Sequence, residues 1–152
     1  MKAQRSLSLR AWRLVATAAA AATVLGSGLY AGTTAIAATP DVLHNCTTGS
    51  SSGNVNTCMN IRNSGTTITD AIASATVVSS ARTLLVCMTK PNGLQIGCDP
   101  TGWTQVKVGK TLSFEWSPDT TEPAGSYCAY TWRQDADGSE PLIGKACVSL
   151  PG

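Results

Sequence analysis

Histidine is almost missing from this 152-residue chain: His44 is the only one. Serine or cysteine nucleophiles usually need a base beside them, so triad chemistry would have to rest on His44. That residue lies in a polar stretch near the start of the mature chain and reads as solvated. No closely spaced cysteine pair of the C-x2-C kind occurs, which argues against a zinc site. Basic clusters are missing too, and with them the electrostatic footprint of a nucleic-acid binder. Charged residues are only 13% of the chain and aromatics 5%. No helical periodicity and no internal repeat stands out, and the only low-complexity segment is the Ser/Gly run at 49–54.

What is present begins with a leader. Lys2, Arg5, Arg10 and Arg13 precede an alanine-rich apolar stretch from Leu14 to Leu29, followed by Ala35-Ile36-Ala37. A basic start, an apolar middle and an A-x-A site compose a secretory signal peptide. The apolar run is interrupted by Gly26, Ser27 and Gly28, and is short for a membrane span of about 20 apolar residues. The expectation is that 1–37 is removed and that 38–152 is one secreted β domain with a flexible, loop-like beginning at 38–56. No membrane association is expected after cleavage. The four leader cations carry the positive charge. The remaining seven cations face nine acids, a net −2 for the mature chain.

All six cysteines, Cys46, Cys58, Cys87, Cys98, Cys128 and Cys147, lie in the mature part. An even count in an exported chain reads as disulfides. Two turn signals narrow their fifteen pairings. Asn92-Gly93 as a two-residue turn places Cys87 opposite Cys98, about 4.5–5.5 Å apart between Cα atoms and within bridging reach. Pro91 also fits a type I turn with Gly93 left-handed, which would shift the register by one. Asp137-Gly138 places Cys128 opposite Cys147. Pro141 then falls where a ladder donor is expected, so a longer loop with a bulge is expected there. Cys46 and Cys58 remain for each other.

Strand patterns fill the rest. Met59 and Ile61 share a face in 57–62, and Asn63-Ser64-Gly65 reads as a turn. Residues 66–80 are rich in Thr, Val and Ile and favour one or two strands, although alanines also suit a helix. Further patterns lie at 83–88, 94–97, 103–108, 111–116, 126–134 and 142–150. In 111–116, Leu112, Phe114 and Trp116 alternate with polar residues and face the core. Short strands with turns at this spacing give an all-β chain, a small antiparallel β-sandwich stapled by three disulfides.

Two resemblances bear on this. Pro123-Ala124-Gly125-Ser126-Tyr127-Cys128, with a later Gly144-Lys145-Ala146-Cys147-Val148, resembles the end of an immunoglobulin-like sandwich. That fold has a corner tyrosine two residues before its cysteine, whereas Tyr127 is adjacent to Cys128. The mature chain is also similar to small exported actinobacterial proteins of uncharacterised function, through Cys58-Met59, Pro91-Asn92-Gly93, Trp116-Ser117-Pro118, Thr131-Trp132-Arg133 and the two segments above. That resemblance implies export and no particular activity.

Candidate chemistry is sparse. Asp119 and Glu122 could pair for glycoside hydrolysis, but read better as loop acids. Asp135 to Glu140 faintly resembles a calcium loop without its twelve-residue spacing, and reads as a turn; no metal or cofactor is expected. Asn45-Cys46-Thr47 matches a glycosylation sequon by chance in a bacterial-looking chain. Aromatics are the better lead. On 126–134, Trp132 shares a face with Tyr130 and Cys128, while Tyr127 and Arg133 share the other. Trp116 and Trp132 are expected in the core, with Trp103 beside Gln105 and Lys107 on a wetter face. Trp103, Tyr127 and Arg133 are the candidate binding residues, because a flat ring suits a sugar or a partner surface. The leading expectation is a non-catalytic extracellular binding module for cell-wall or environmental polysaccharide or a surface protein. A secreted inhibitor of proteases or other hydrolases, presenting Lys90-Pro91 or the loop 117–125, is the alternative, and a small secreted hydrolase the third.

Overall fold

A computed structural model describes residues 40–49 and 54–152. Residues 1–37, expected to be a leader cleaved after Ala37, and residues 50–53 lie outside the described residues. Among the described residues there are ten strands and no helix. They are β1 (Asp41–Thr48), β2 (Val55–Ser64), β3 (Thr67–Val77), β4 (Arg82–Thr89), β5 (Gln95–Cys98), β6 (Thr104–Val106), β7 (Thr111–Trp116), β8 (Thr120–Thr121), β9 (Gly125–Gln134) and β10 (Leu142–Leu150). They form two antiparallel sheets. The first has the order β1-β2-β3-β7, with β8 beside β3; the second runs β10-β9-β4-β5, with β6 beside β4.

The segment 38–56, expected to be loop-like, instead supplies β1 and the start of β2. β1 is ordered because it pairs along its whole length with β2, from Asp41 opposite Asn63 to Thr48 opposite Asn56. The expected turn at Asn63 also moves: β2 runs on to Ser64, and Asn63 is buried within it. Within 66–80 there is one strand, β3, bulged where Arg62 opposite Asp70 gives way to Asn63 opposite Ile68.

Alternation builds the core. β2 turns Val55, Thr57, Met59 and Ile61 inward; β4 turns Leu84, Val86 and Met88; β9 turns Tyr127, Ala129 and Thr131. On β3 Ile68 and Val77 turn inward near the ends, and Ala71, Ala73 and Ala75 between them. These small side chains leave the bulk of the interior to the other strands, a mixture of large and small residues that lets facing layers interdigitate. Phe114 from β7 reaches across to β5, its ring so close to Gly97 that a Cβ there would lie 2.6 Å from Cζ. Thr57 donates to Thr131 at 2.8 Å, a buried hydrogen bond between the sheets, and the missing side chain of Gly144 makes room for it.

All three expected disulfides form: Cys87–Cys98 and Cys128–Cys147, which the turn signals place opposite each other, and Cys46–Cys58, the pair left over. Each joins adjacent strands of one sheet on the outer face, with Cα atoms 4.1, 3.9 and 4.1 Å apart. The turns themselves are longer than two residues. Lys90 N–H donates to Leu94 C=O and Gly93 N–H to Lys90 C=O, with Gly93 left-handed at φ 78°. The second hairpin repeats this: Asp135 N–H to Ser139 C=O, Gly138 N–H to Asp135 C=O, Gly138 at φ 82°. Each three-residue loop shifts the register by one, and one bulge shifts it back, around Ile96 in β5 and Ile143 in β10. The cysteines therefore face each other as simple two-residue turns would place them. The bulge in β10 also resolves the difficulty at Pro141, whose carbonyl accepts from Arg133 N–H.

One end of the sandwich is clamped from both sheets. Lys90, at the tip of the β4–β5 hairpin, lies 2.6 Å from the Glu122 carboxylate and 5.1 Å from the Trp116 ring centroid. Beside them Tyr127 donates its hydroxyl to Pro123 C=O at 2.9 Å. At the lateral edge, Asn45 and Thr47 of β1 donate to the Cys147 and Lys145 carbonyls of β10, at 2.9 and 2.7 Å. Those carbonyls point away from the partner strand and would otherwise lack protein donors.

Candidate aromatic face

Strand alternation gives β9 two faces, and the structure reverses which one is wet. Tyr127, expected on a binding face, is fully buried at 0% exposure. Burial, and secondarily the Glu122 carboxylate, pushes its phenol up to about 12. Arg133, the other candidate on that face, is half-buried and committed to Asp135, with Nε 2.6 Å from Oδ1 and Nη2 donating to Oδ2 at 2.7 Å. Tyr127 is thus enclosed, and Arg133 is engaged within its own hairpin. Trp132, expected in the core, stands on the outer face with Tyr130 and Cys128. Trp116 keeps its expected inward direction and packs, partly buried, against the core.

The reversal has a physical cause. An inter-sheet disulfide would have drawn Cys128 and its face inward. Here Cys128 bonds to the neighbouring strand of its own sheet, so its face is free to point out. The inward positions go to Ala129 and Thr131, which look unremarkable in sequence but fit beneath Gly144 and Thr57.

The outer face of the β10-β9-β4-β5 sheet therefore carries an aromatic platform. Register places Leu85 and Leu142 on either side of Trp132, and Cys87 and Lys145 on either side of Tyr130. The Lys145 ammonium sits 5.2 Å from the Tyr130 ring centroid, a cation–π contact. Trp103, just before β6, is the one sequence candidate that the structure places here. It joins Leu85, Gln95, Trp132 and Glu140 around a shallow depression of about 370 Å³. A second depression of about 190 Å³ lies between Thr89, Gly93, Gln95, Tyr130 and Trp132. The two share Gln95, Trp132 and Cys87, so they are neighbouring parts of one surface. The Cys87–Cys98 bridge runs beneath both and keeps the short β5 against β4.

Other sequence candidates take structural places. Glu122 is ion-paired with Lys90, and the basic tip offered for an inhibitor is thereby tied down, with Pro91 against Gly125. Asp137 accepts from the Ser139 hydroxyl and amide, which holds its carboxyl below the usual range. His44 is exposed but lies within β1, where its ring meets the Asn60 side chain and Cys46 Sγ. Sequence reasoning missed Trp132, Tyr130, Leu85 and Gln95 as surface partners of Trp103; the Trp132–Tyr130–Cys128 parity was the available signal. Comparison with known proteins finds no matching family model, no similar curated protein and no similar solved structure.

Proposed function

We propose that this chain is an exported, non-catalytic binding module that holds a polysaccharide across the Trp103–Trp132–Tyr130 face. The observation that carries the reading is that three of the few aromatic side chains stand together on the outside of a sheet whose core is complete without them. Large apolar rings grouped on a surface mark an interaction site. The flat C–H faces of a sugar ring match an aromatic plane, and Gln95, Thr89 and Glu140 supply hydrogen-bonding groups for hydroxyls at its rim. The shape favours a polymer over a small molecule. Small ligands are usually enclosed in concave pockets, whereas a shallow surface lets a chain run on at both ends. Three disulfides suit an oxidising compartment outside the cytosol, which supports the expected leader. The Tyr127–Pro123 bond at the head of β9 supports the likeness to immunoglobulin-like sandwiches.

Co-sedimentation with insoluble polysaccharides and purified bacterial cell walls tests the reading. The oxidised parent is expected in the pellet. Trp132→Ala and Trp103→Ala are expected to stay in the supernatant, each costing at least about 2 kcal/mol as central aromatic contacts do. Pelleting of both variants would move the ligand off this face. A parent that never pellets removes polysaccharide as the ligand and leaves a surface protein to be sought.

A further inference from the structure

Cys46 is the only one of the six cysteines that is exposed. It is also the only one with a histidine at its sulfur. His44 lies two residues before it on the same outer face of β1, with Nε2 3.3 Å from Cys46 Sγ. The ring is oriented from its other side, where Nδ1 meets Asn60 Oδ1 directly across the β1–β2 ladder. An amide oxygen can only accept, so this contact keeps a proton on Nδ1 and aims Nε2 at the sulfur. The other bridges lack such a group. Cys87 and Cys128 are buried, and the polar neighbours of the sulfurs there are the Gln95 amide and the Ser126 hydroxyl. Moreover, Cys46–Cys58 ties down an edge strand whose side chains are mostly exposed.

We propose that Cys46–Cys58 is a thiol-exchange site served by His44, and that opening it unlatches β1 from the sandwich. The co-reactant is a small thiol, entering as its thiolate. It attacks Cys58 Sγ; the Cys46–Cys58 bond breaks as the new sulfur–sulfur bond forms. Cys46 leaves as a thiolate, and the His44 imidazolium donates its Nε2 proton toward it. A second thiolate then displaces Cys58, so that two thiols become one small disulfide and the protein bridge gains two electrons and two protons. A cationic imidazole lowers the pKa of a neighbouring thiol, and the leaving sulfur departs faster as its pKa falls. Departure of the Cys46 sulfur is therefore expected to be severalfold faster beside His44 than beside an uncharged neighbour. The other charged groups on this face are Arg62 of β2, Asp70 of β3, which accepts from Ser117, and Glu115 of β7. Lys145 of β10, on the far side of β1, is drawn to Tyr130.

The experiment exposes the oxidised protein to glutathione under native conditions, quenches with an alkylating agent and maps the peptides. The first product is expected to carry alkyl on Cys46 and glutathione on Cys58, with the other two bridges closed. Earlier or simultaneous opening of another bridge, or glutathione on Cys46, overturns the site. The rate constant per thiolate is expected to rise in the parent as pH falls. In His44→Gln, an exposed replacement, it is expected to stay flat with pH and to lie severalfold below the parent at the acid end. Equal rates there overturn the role of His44. Hydrogen exchange reads the latch: amides of β1 are expected to lose protection on opening while those of β9 keep it. Retained protection in β1 overturns the unlatching. None of these readouts depends on what the aromatic face binds.

Discussion

Gly144 and Thr57 illustrate how little slack the interior has. A Cβ built on Gly144 would lie 2.0 Å from Thr57 Oγ1 and 2.9 Å from its Cβ. Gly144→Ala must therefore push two sheets apart or break the Thr57–Thr131 bond. We expect a loss of about 2–3 kcal/mol, the upper range of overpacking, read as a lower urea midpoint with unchanged slope. Tyr127 makes a prediction of a different kind. Its phenol ordinarily titrates near 10.0 and is held at about 12 in the fold. The protonated form is the one the fold prefers, so its stabilising effect is complete below pH 10. It falls away between about pH 10 and 12, as the unfolded chain ionises first. Tyr127→Phe is expected to be about 1 kcal/mol less stable at neutral pH, for the lost bond to Pro123. It is also expected to show a shallower decline across that alkaline interval. Urea titrations of both proteins at pH 9 to 12 make the comparison.

At the level of strands and turns, the sequence was legible wherever a local rule decided the outcome. Alternation placed Leu112, Phe114 and Trp116 inward, and turn residues brought the cysteine pairs together. The disulfide arithmetic succeeded through a cancellation that sequence does not announce: a loop one residue longer, and a bulge that takes the residue back. Both hairpins rest on a left-handed glycine. Gly93→Ala is expected to cost about 1 kcal/mol through backbone strain alone, since the space around it is open. Gly93→Asn is expected to cost less, because asparagine tolerates that conformation. Thermal unfolding of the two variants orders them. What local rules could not supply was the sense of each face. Parity grouped Trp132 with Tyr130 and Cys128, yet whether that group lay inside depended on which face of β9 meets the other sheet. β1 was hidden for a similar reason. Its residues are polar and mostly exposed, and it is a strand only because β2 offers an edge and β10 offers carbonyls.

Over the whole molecule, the core packing and the proposed ligand face occupy opposite sides of the β10-β9-β4-β5 sheet. The inward residues hold the layers together, and the proposed ligand face lies outside. Replacing Trp103 and Trp132 by alanine is therefore expected to abolish pelleting while changing stability far less than a core truncation does. Removing the Cys128–Cys147 pair as Cys128→Ala with Cys147→Ala should do the reverse. It closes a span of 19 residues and is expected to cost about 3 kcal/mol, with the inner packing intact. Calorimetry beside co-sedimentation separates the two effects. The placement of the staples has a mechanical consequence as well. Every covalent cross-link lies within a sheet and none crosses between them. A load that slides one sheet over the other meets side-chain packing, the Thr57–Thr131 bond, the Lys90 clamp to Glu122 and Trp116, the Tyr127–Pro123 bond and the hooks of Asn45 and Thr47. The molecule is thus built like two riveted plates held together by contact. Under tension it is expected to part along the plane between them, each plate still fastened, before any rivet gives way.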